Sequence, residues 1–403
     1  MKRVAIIGAG ACGLWTAIAL LKGKQKLAID LFERFDNVGK KIAMSGNSKG
    51  NVSNINIRAS AYNNPTYVAP LIRRYNAKWA LDSFESFGIK VLVDEAGRVY
   101  PISENAKSVV MTMKDILQDE HVCMFENHPI NDIGFDPVTK IYTIDGQPYH
   151  AVVLATGSNA GMGPKVPPSS LPTINNRQIF KQTRRFPALC AIGVTDDVRL
   201  IENVRVKCNL TLLLGEVEYG AKGEVQFISG AISGIAAFVL SSFIARSMVS
   251  HGQIKTPALL VLDLMPSLSY KQLRDYLATY VDGNSFNRYS LTGLFHQNLS
   301  TWIFNRYQDT HQARFDGEKL TELIKNMPFA VDAKYIAHNN QVLAGGVDTF
   351  QVDNQTLECI EYPNLYIGGE ALDIDGLCGG YNLHYAFASG EAIAQAIIKK
   401  TRN

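Results

Sequence analysis

The chain has 403 residues, 46% of them hydrophobic and 19% charged, which excludes a disordered protein and gives enough length for two or three domains. A formal net charge of +3 is small for this size and argues against a nucleic-acid partner held by a basic face.

In chain order, Val4 to Ile7 is a short apolar run suited to a buried parallel strand. Gly8-Ala9-Gly10-Ala11-Cys12-Gly13 follows it. Gly8 allows a tight turn, Gly10 lets a pyrophosphate approach the backbone, and Gly13 lets the next helix pack on the strand. Ala11 to Leu21 reads as an apolar helix whose first amides face the diphosphate. Leu27 to Phe32 is a second buried strand. Glu33 follows Gly13 by twenty residues, where an acid meets a ribose. Strand, glycines, helix, strand and acid in that order predict a dinucleotide site. Lys2-Arg3 before the apolar stretch mimics a secretory signal, but no small-residue cleavage site ends it.

Beyond this start, residues 37 to 56 form a loop rich in Gly, Ser, Asn and Lys. Helical periodicity is predicted over Tyr67–Phe87 and Ala106–Asp119. Ile89–Val93 and Val99-Tyr100 read as strands around the turn Asp94–Gly97. Ile130–Phe135 and Ile141–Ile144 read as a hairpin, and Val152–Gly157 as a buried strand ending in Gly. Val198 to Gly230 alternates polar and apolar residues, as in an antiparallel sheet. Phe227 to Ala245 is nineteen residues without a charge, but Ser and Gly interrupt it, so a strand running into a buried helix is expected rather than a membrane span. Ser269 to Met327 reads as helical, Val342–Val347 and Leu365–Ile367 as strands, and Ala386–Thr401 as a closing helix.

The expected fold class is α/β: a discontinuous Rossmann-like domain over 1–178 and 342–403, a β-rich insertion over 179–268 and 328–341, and a helical module over 269–327. The six cysteines, at 12, 123, 190, 208, 359 and 378, include no Cys-x-x-Cys and no zinc-ligand spacing with His. That predicts no metal site and a reducing, cytoplasmic setting.

Five segments spread over nearly the whole chain carry a family resemblance: the glycine-rich start; Gly39-Lys40-Lys41-Ile42-Ala43-Met44-Ser45-Gly46 through Asn54; Gly97-Arg98-Val99-Tyr100-Pro101; Gly223–Phe227 with Ser233-Gly234; and Ala344–Val347 followed by Gly369-Glu370 through Gly390. On these the chain resembles the YhiN/BaiN-type, aminoacetone-oxidase-like family of FAD-binding proteins. The family pattern has an arginine and a cysteine where Lys49 and Gly50 stand here. The resemblance implies a glutathione-reductase-like FAD fold with inserted modules, and oxidoreductase activity on a small molecule.

It also implies roles. Gly8, Gly10, Ala11, Gly13, Glu33 and Arg34 would hold the nucleotide half of a non-covalent FAD. Lys41, Ser45 and Gly46 would meet phosphate or ribose oxygens, Asn51 the edge of the isoalloxazine, and Ile130 the adenine. Thr156 and Gly157 would return the chain beside the dinucleotide. Gly369 and Glu370 would contact ribitol or pyrophosphate. Gly380, Asn382 and Leu383, at the start of the closing helix, would face the flavin C2 carbonyl. Cys378, Tyr381 and Lys49 are the candidates for catalysis.

A hydride-transferring reductase using NADH or NADPH is the leading expectation. No second dinucleotide fingerprint is present, because Gly157-x3-Gly161-x-Gly163 has the wrong spacing and runs into Pro164, so a nicotinamide would dock transiently. A flavin oxidase acting on an amine or a carbon–carbon bond, and an RNA-modifying flavoprotein, are the alternatives. No feature of the pattern specifies an oligomeric state.

Overall fold

In the computed structural model the described residues are all but 120, 164–165, 167–169, 282–285, 312–314, 333, 336–339 and 403. Pro164, which closes the Gly157–Gly163 segment, therefore lies outside them.

The chain divides into two units, Met1–Arg185 with Val342–Asn403, and Phe186–Gln341. The first is built on a five-stranded parallel sheet in the order Leu365–Ile367, Ala151–Leu154, Lys2–Ile7, Leu27–Phe32, Val122–Phe125. Val4 pairs with Ala151 on one side and Ile29 on the other, so the first strand is central. Its last four residues are fully buried, which explains the unbroken apolar run. The helix Ala11–Lys22 returns over this sheet, and the closing helix Tyr381–Arg402 packs along it: a Cβ on Gly390 would stand 2.6 Å from the Cys12 carbonyl oxygen. Trp15 fills the seam, with its ring centroid 4.9 Å from those of Phe87 and Phe387, and its indole N–H donates to Glu391 at 2.8 Å.

Two smaller sheets serve this unit. One is the antiparallel meander Asp132–Asp136, Ile141–Ile144 and Gln147–Tyr149, extended by Thr173–Ile174. The other has Arg98–Pro101 at its centre, flanked by Ser53–Asn54 and Val91–Val93.

The periodic stretch 67–87 is two helices, Pro65–Arg74 and Ala77–Ser86. The break comes at Asn76, whose side chain accepts from the Trp79 N–H at 3.1 Å and starts the second helix. The closing helix begins at Tyr381, five residues before the expected start at Ala386.

The second unit is a six-stranded antiparallel sheet around the hairpin Arg205–Leu214 and Val217–Ile228. In the first of these strands Cys208, Leu210, Leu212 and Leu214 alternate inward. The charge-free run divides into the end of the second strand, the short strand Ala231–Ser233 and the helix Ile235–His251. Among the described residues no helix is long and apolar enough to cross a membrane.

The helical stretch 269–327 does not form a unit of its own, and the first unit extends to Arg185 rather than 178. Leu273, Leu277, Leu320 and Ile324 share one buried cluster with Leu210, Leu212, Leu260 and Phe329, so helices and sheet bury a single core.

Candidate functional site

The site starts where the first strand ends. Gly8 has φ +102°, and a Cβ on it would stand 2.4 Å from the Ala155 carbonyl oxygen. A Cβ on Gly13 would stand 1.9 Å from the Gly8 carbonyl oxygen. Turn, helix and neighbouring strand therefore meet with no room for a side chain. Gly10 is the opposite case: a Cβ there would meet nothing within 4 Å. Gly157, at φ +59°, also faces open space. No side chain caps the helix at Gly10, so its first amides, from Ala11 onward, keep their donors for an anion.

Glu33 stands at the end of the second strand, 8% exposed, and accepts from Ala9 N–H at 2.9 Å and Phe35 N–H at 3.0 Å. Those bonds aim its carboxylate at the glycine turn, where an acid serves a ribose. Arg34 is half-buried with its guanidinium 4.5 Å from the Phe35 ring centroid. Burial lowers its pKa, and the Glu33 charge works against that. Ile130 lies in no strand; it sits between Val122–Phe125 and Asp132–Asp136 with its side chain against the core.

On the far side, Lys41 pairs with Glu370 and donates to the Ser158 hydroxyl at 3.1 Å. The other Glu370 oxygen accepts from Leu343 N–H at 3.0 Å. Ser45 donates to the Ile42 carbonyl at 2.7 Å and ends the short helix Lys40–Met44, after which Gly46 turns at φ +55°. Thr156 is half-buried at the end of the Ala151–Leu154 strand segment. Gly369, at φ +63°, lies over the first helix, where a Cβ would meet that of Cys12 at 3.2 Å.

At the closing helix, Asn51 is buried, donates its amide N–H to the Ser53 carbonyl at 2.8 Å and accepts from Gly380 N–H at 3.2 Å. A Cβ on Gly380 would stand 2.2 Å from the Ser53 carbonyl oxygen, so only glycine permits this approach. The side chain of Asn382 accepts from Gly376 N–H at 2.8 Å and donates to the Gly376 carbonyl at 3.0 Å. It holds the loop before the helix, which leaves its backbone N–H and that of half-buried Leu383 as the groups able to reach a ligand.

The three candidates for catalysis sit in different surroundings. Tyr381 is buried, and its hydroxyl donates to the Asn56 carbonyl at 3.2 Å, so it packs the fold. Lys49 is exposed and paired with Glu104 at 3.0 Å. Cys378 stays half-buried beside Gly379, and burial pushes its thiol pKa up despite the nearby Arg98 charge; it is a thiol, not a thiolate.

Two features are not apparent from sequence. Arg185 donates to the carbonyls of Gly157 at 3.3 Å and Ala371 at 3.4 Å, joining segments far apart in the chain. His384 is fully buried, with Nε2 2.8 Å from the Tyr75 carbonyl and Nδ1 2.8 Å from the Ser53 hydroxyl. A carbonyl only accepts, so Nε2 carries the proton and Nδ1 accepts from Ser53. Burial lowers the His384 pKa to about 4.

A glycine turn under an uncapped helix, an acid at the next strand's end and a parallel sheet define a Rossmann-type dinucleotide-binding protein. The chain belongs to the HI0933-like protein Rossmann domain family, whose model matches residues 2–396, and it is an FAD-dependent oxidoreductase. It is similar to the 3-dehydro-bile acid delta(4,6)-reductase of Clostridium scindens, with 27% identity over 422 residues, 99% of this chain and 100% of that one. It is similar also to the ribosomal RNA dihydrouridine synthase of Haemophilus influenzae, with 24% identity over 426 residues and 98% of each chain. Among solved structures it is similar to 3-ketosteroid delta1-dehydrogenase from Sterolibacterium denitrificans, at 12% identity and a TM-score of 0.48, over 99% of this chain and 100% of that one.

Proposed function

We propose that this chain reduces a carbon–carbon double bond conjugated to a carbonyl group in a small organic molecule, with NADH or NADPH as a transient electron donor. FAD, when bound, supplies the hydride chemistry at its N5. The observation that carries the reading is a shared chemistry. A 3-dehydro-bile acid with delta(4,6) unsaturation and the uracil ring of uridine both hold a double bond conjugated to a carbonyl, and the name of each relative describes reduction of such a bond.

The residues divide the work. Gly10 and the first amides of helix Ala11–Lys22 receive the diphosphate, and Glu33 a ribose. Lys41 and Glu370 present a cation and an acid to the linker between the two halves of the cofactor. Asn51, Gly380 and the start of the closing helix frame the ring, where amide donors favour negative charge. All six cysteines are free thiols, which suits a reducing cytoplasm.

A uracil in RNA is the second reading, favoured by the dihydrouridine synthase relative. The net charge of +3 favours the small molecule.

The test is anaerobic. The FAD-loaded protein is photoreduced and mixed with 2-cyclohexenone, a 3-oxo-Δ4 steroid, cyclohexene or unmodified ribosomal RNA. Return of the flavin spectrum with the conjugated ketones, and not with cyclohexene, supports the proposal. Return with RNA alone moves the assignment to the second reading, and no return with any of them refutes both.

A further inference from the structure

The strand Arg98–Pro101 takes no part in the cradle described so far. Burial alternates along it, with Val99 and Pro101 inside and Arg98 and Tyr100 half-exposed, so the last two share a face. Register places Asn54 opposite Arg98. The face touches both segments that frame the flavin site. The Asn54 amide donates to the Gly379 carbonyl at 3.0 Å, and Arg98 Cγ lies 3.6 Å from where a Gly379 Cβ would stand. The Tyr100 ring lies 3.2 Å from the equivalent point on Gly46.

Arg98 is held in one orientation. One Asp94 oxygen accepts from its Nε at 2.7 Å and the other from its backbone N–H at 2.8 Å. Its two terminal amino groups have no hydrogen-bond partner among the described residues, and neither has the Tyr100 hydroxyl. Burial raises the Tyr100 pKa, so the phenol keeps its proton at neutral pH. Lys49, also within electrostatic reach of that phenol, is committed to Glu104. The corner thus offers a fixed guanidinium edge and an O–H donor, with no thiolate at Cys378 to repel an anion.

The geometry points to Arg98 and Tyr100 as substrate-binding residues that hold the carbonyl oxygen of a conjugated substrate while it takes on negative charge. The inference rests on the reductase reading above. Hydride arriving at the β-carbon moves the alkene electron pair toward the carbonyl and leaves an enolate oxygen. A solvent proton at the α-carbon then completes the saturated ketone. The two electrons come from the nicotinamide donor by way of the cofactor. Donors aimed at the enolate oxygen favour that charge, as in any oxyanion site.

The probe is 4-chlorophenol, which is not reduced and whose phenolate gives a long-wavelength charge-transfer band over oxidised flavin. Wild-type FAD-loaded protein is expected to show the band, with the phenol ionising below its solution pKa. Tyr100→Phe and Arg98→Met are each expected to weaken binding by about tenfold or more. Tyr100→Phe removes one oxygen and leaves FAD content and melting temperature unchanged, so it keeps the test sound if Arg98→Met folds poorly; Arg98→Lys recovers part of the binding. Absence of the band in wild type, or variants that bind like wild type, overturns the proposal. If the band needs both residues yet no conjugated ketone reoxidises the protein, the oxyanion corner stands and the reductase reading falls. If conjugated ketones reoxidise wild type and both variants alike, the reductase reading stands and the corner falls.

Discussion

Protonating His384 should loosen the flavin end of the site. Its Nδ1 accepts from the Ser53 hydroxyl, and the Ser53 carbonyl accepts from Asn51, which in turn accepts from Gly380 N–H. Burial of the ring pushes the folded pKa down to about 4, from the usual histidine value of about 6.5. Between these values the unfolded chain binds the proton and the folded chain does not. The stabilisation is complete above pH 6.5 and is lost as pH falls toward 4. A difference of this size corresponds to about 3 kcal/mol. The assay is urea unfolding from pH 7.5 to 4, wild type against His384→Gln, with FAD fluorescence recorded in parallel. Wild type should lose about 3 kcal/mol more than the variant over that window, and release FAD on the acid side of it. Equal pH slopes in the two proteins would refute the reasoning.

Gly10→Ala should leave the apoprotein melting temperature within a few degrees of wild type yet weaken FAD binding at least tenfold, because its methyl enters open space where the diphosphate belongs. Gly13→Ala should cost stability itself, about 3 kcal/mol or more in urea unfolding, because its methyl overlaps the Gly8 carbonyl. Glu370→Gln leaves Lys41 without its carboxylate and should weaken FAD binding about tenfold by fluorescence titration. Lys49→Ala breaks only an exposed pair with Glu104, so stability should change by less than about 1 kcal/mol and turnover by less than about twofold.

The parts of the fold that sequence conveys are those set by local pattern. Val4–Ile7, the glycines after it and Glu33 lie within one βαβ unit, and each has a steric or hydrogen-bonding reason that spacing alone expresses. The parts that escape depend on distant partners. Lys49 resembles a pocket cation until Glu104, fifty-five residues on, is seen to hold it. Arg185 meets Ala371 across 186 positions, and no periodicity signals that. The start of the closing helix is hidden because Gly379 and Gly380, both at positive φ, interrupt the apolar pattern just before Tyr381. The break at Asn76 is hidden for the opposite reason: apolar spacing continues through a cap that only the chain direction reveals. Arg98 and Tyr100 are legible as a motif, but their common face depends on the strand register.

The measurement that bears most directly on the account is the anaerobic visible spectrum of the purified protein after reconstitution with FAD, before and after NADH or NADPH. The account predicts one FAD per chain, bands that bleach with one of the two donors, and their return on adding a conjugated ketone. A protein that retains no FAD after reconstitution would contradict it.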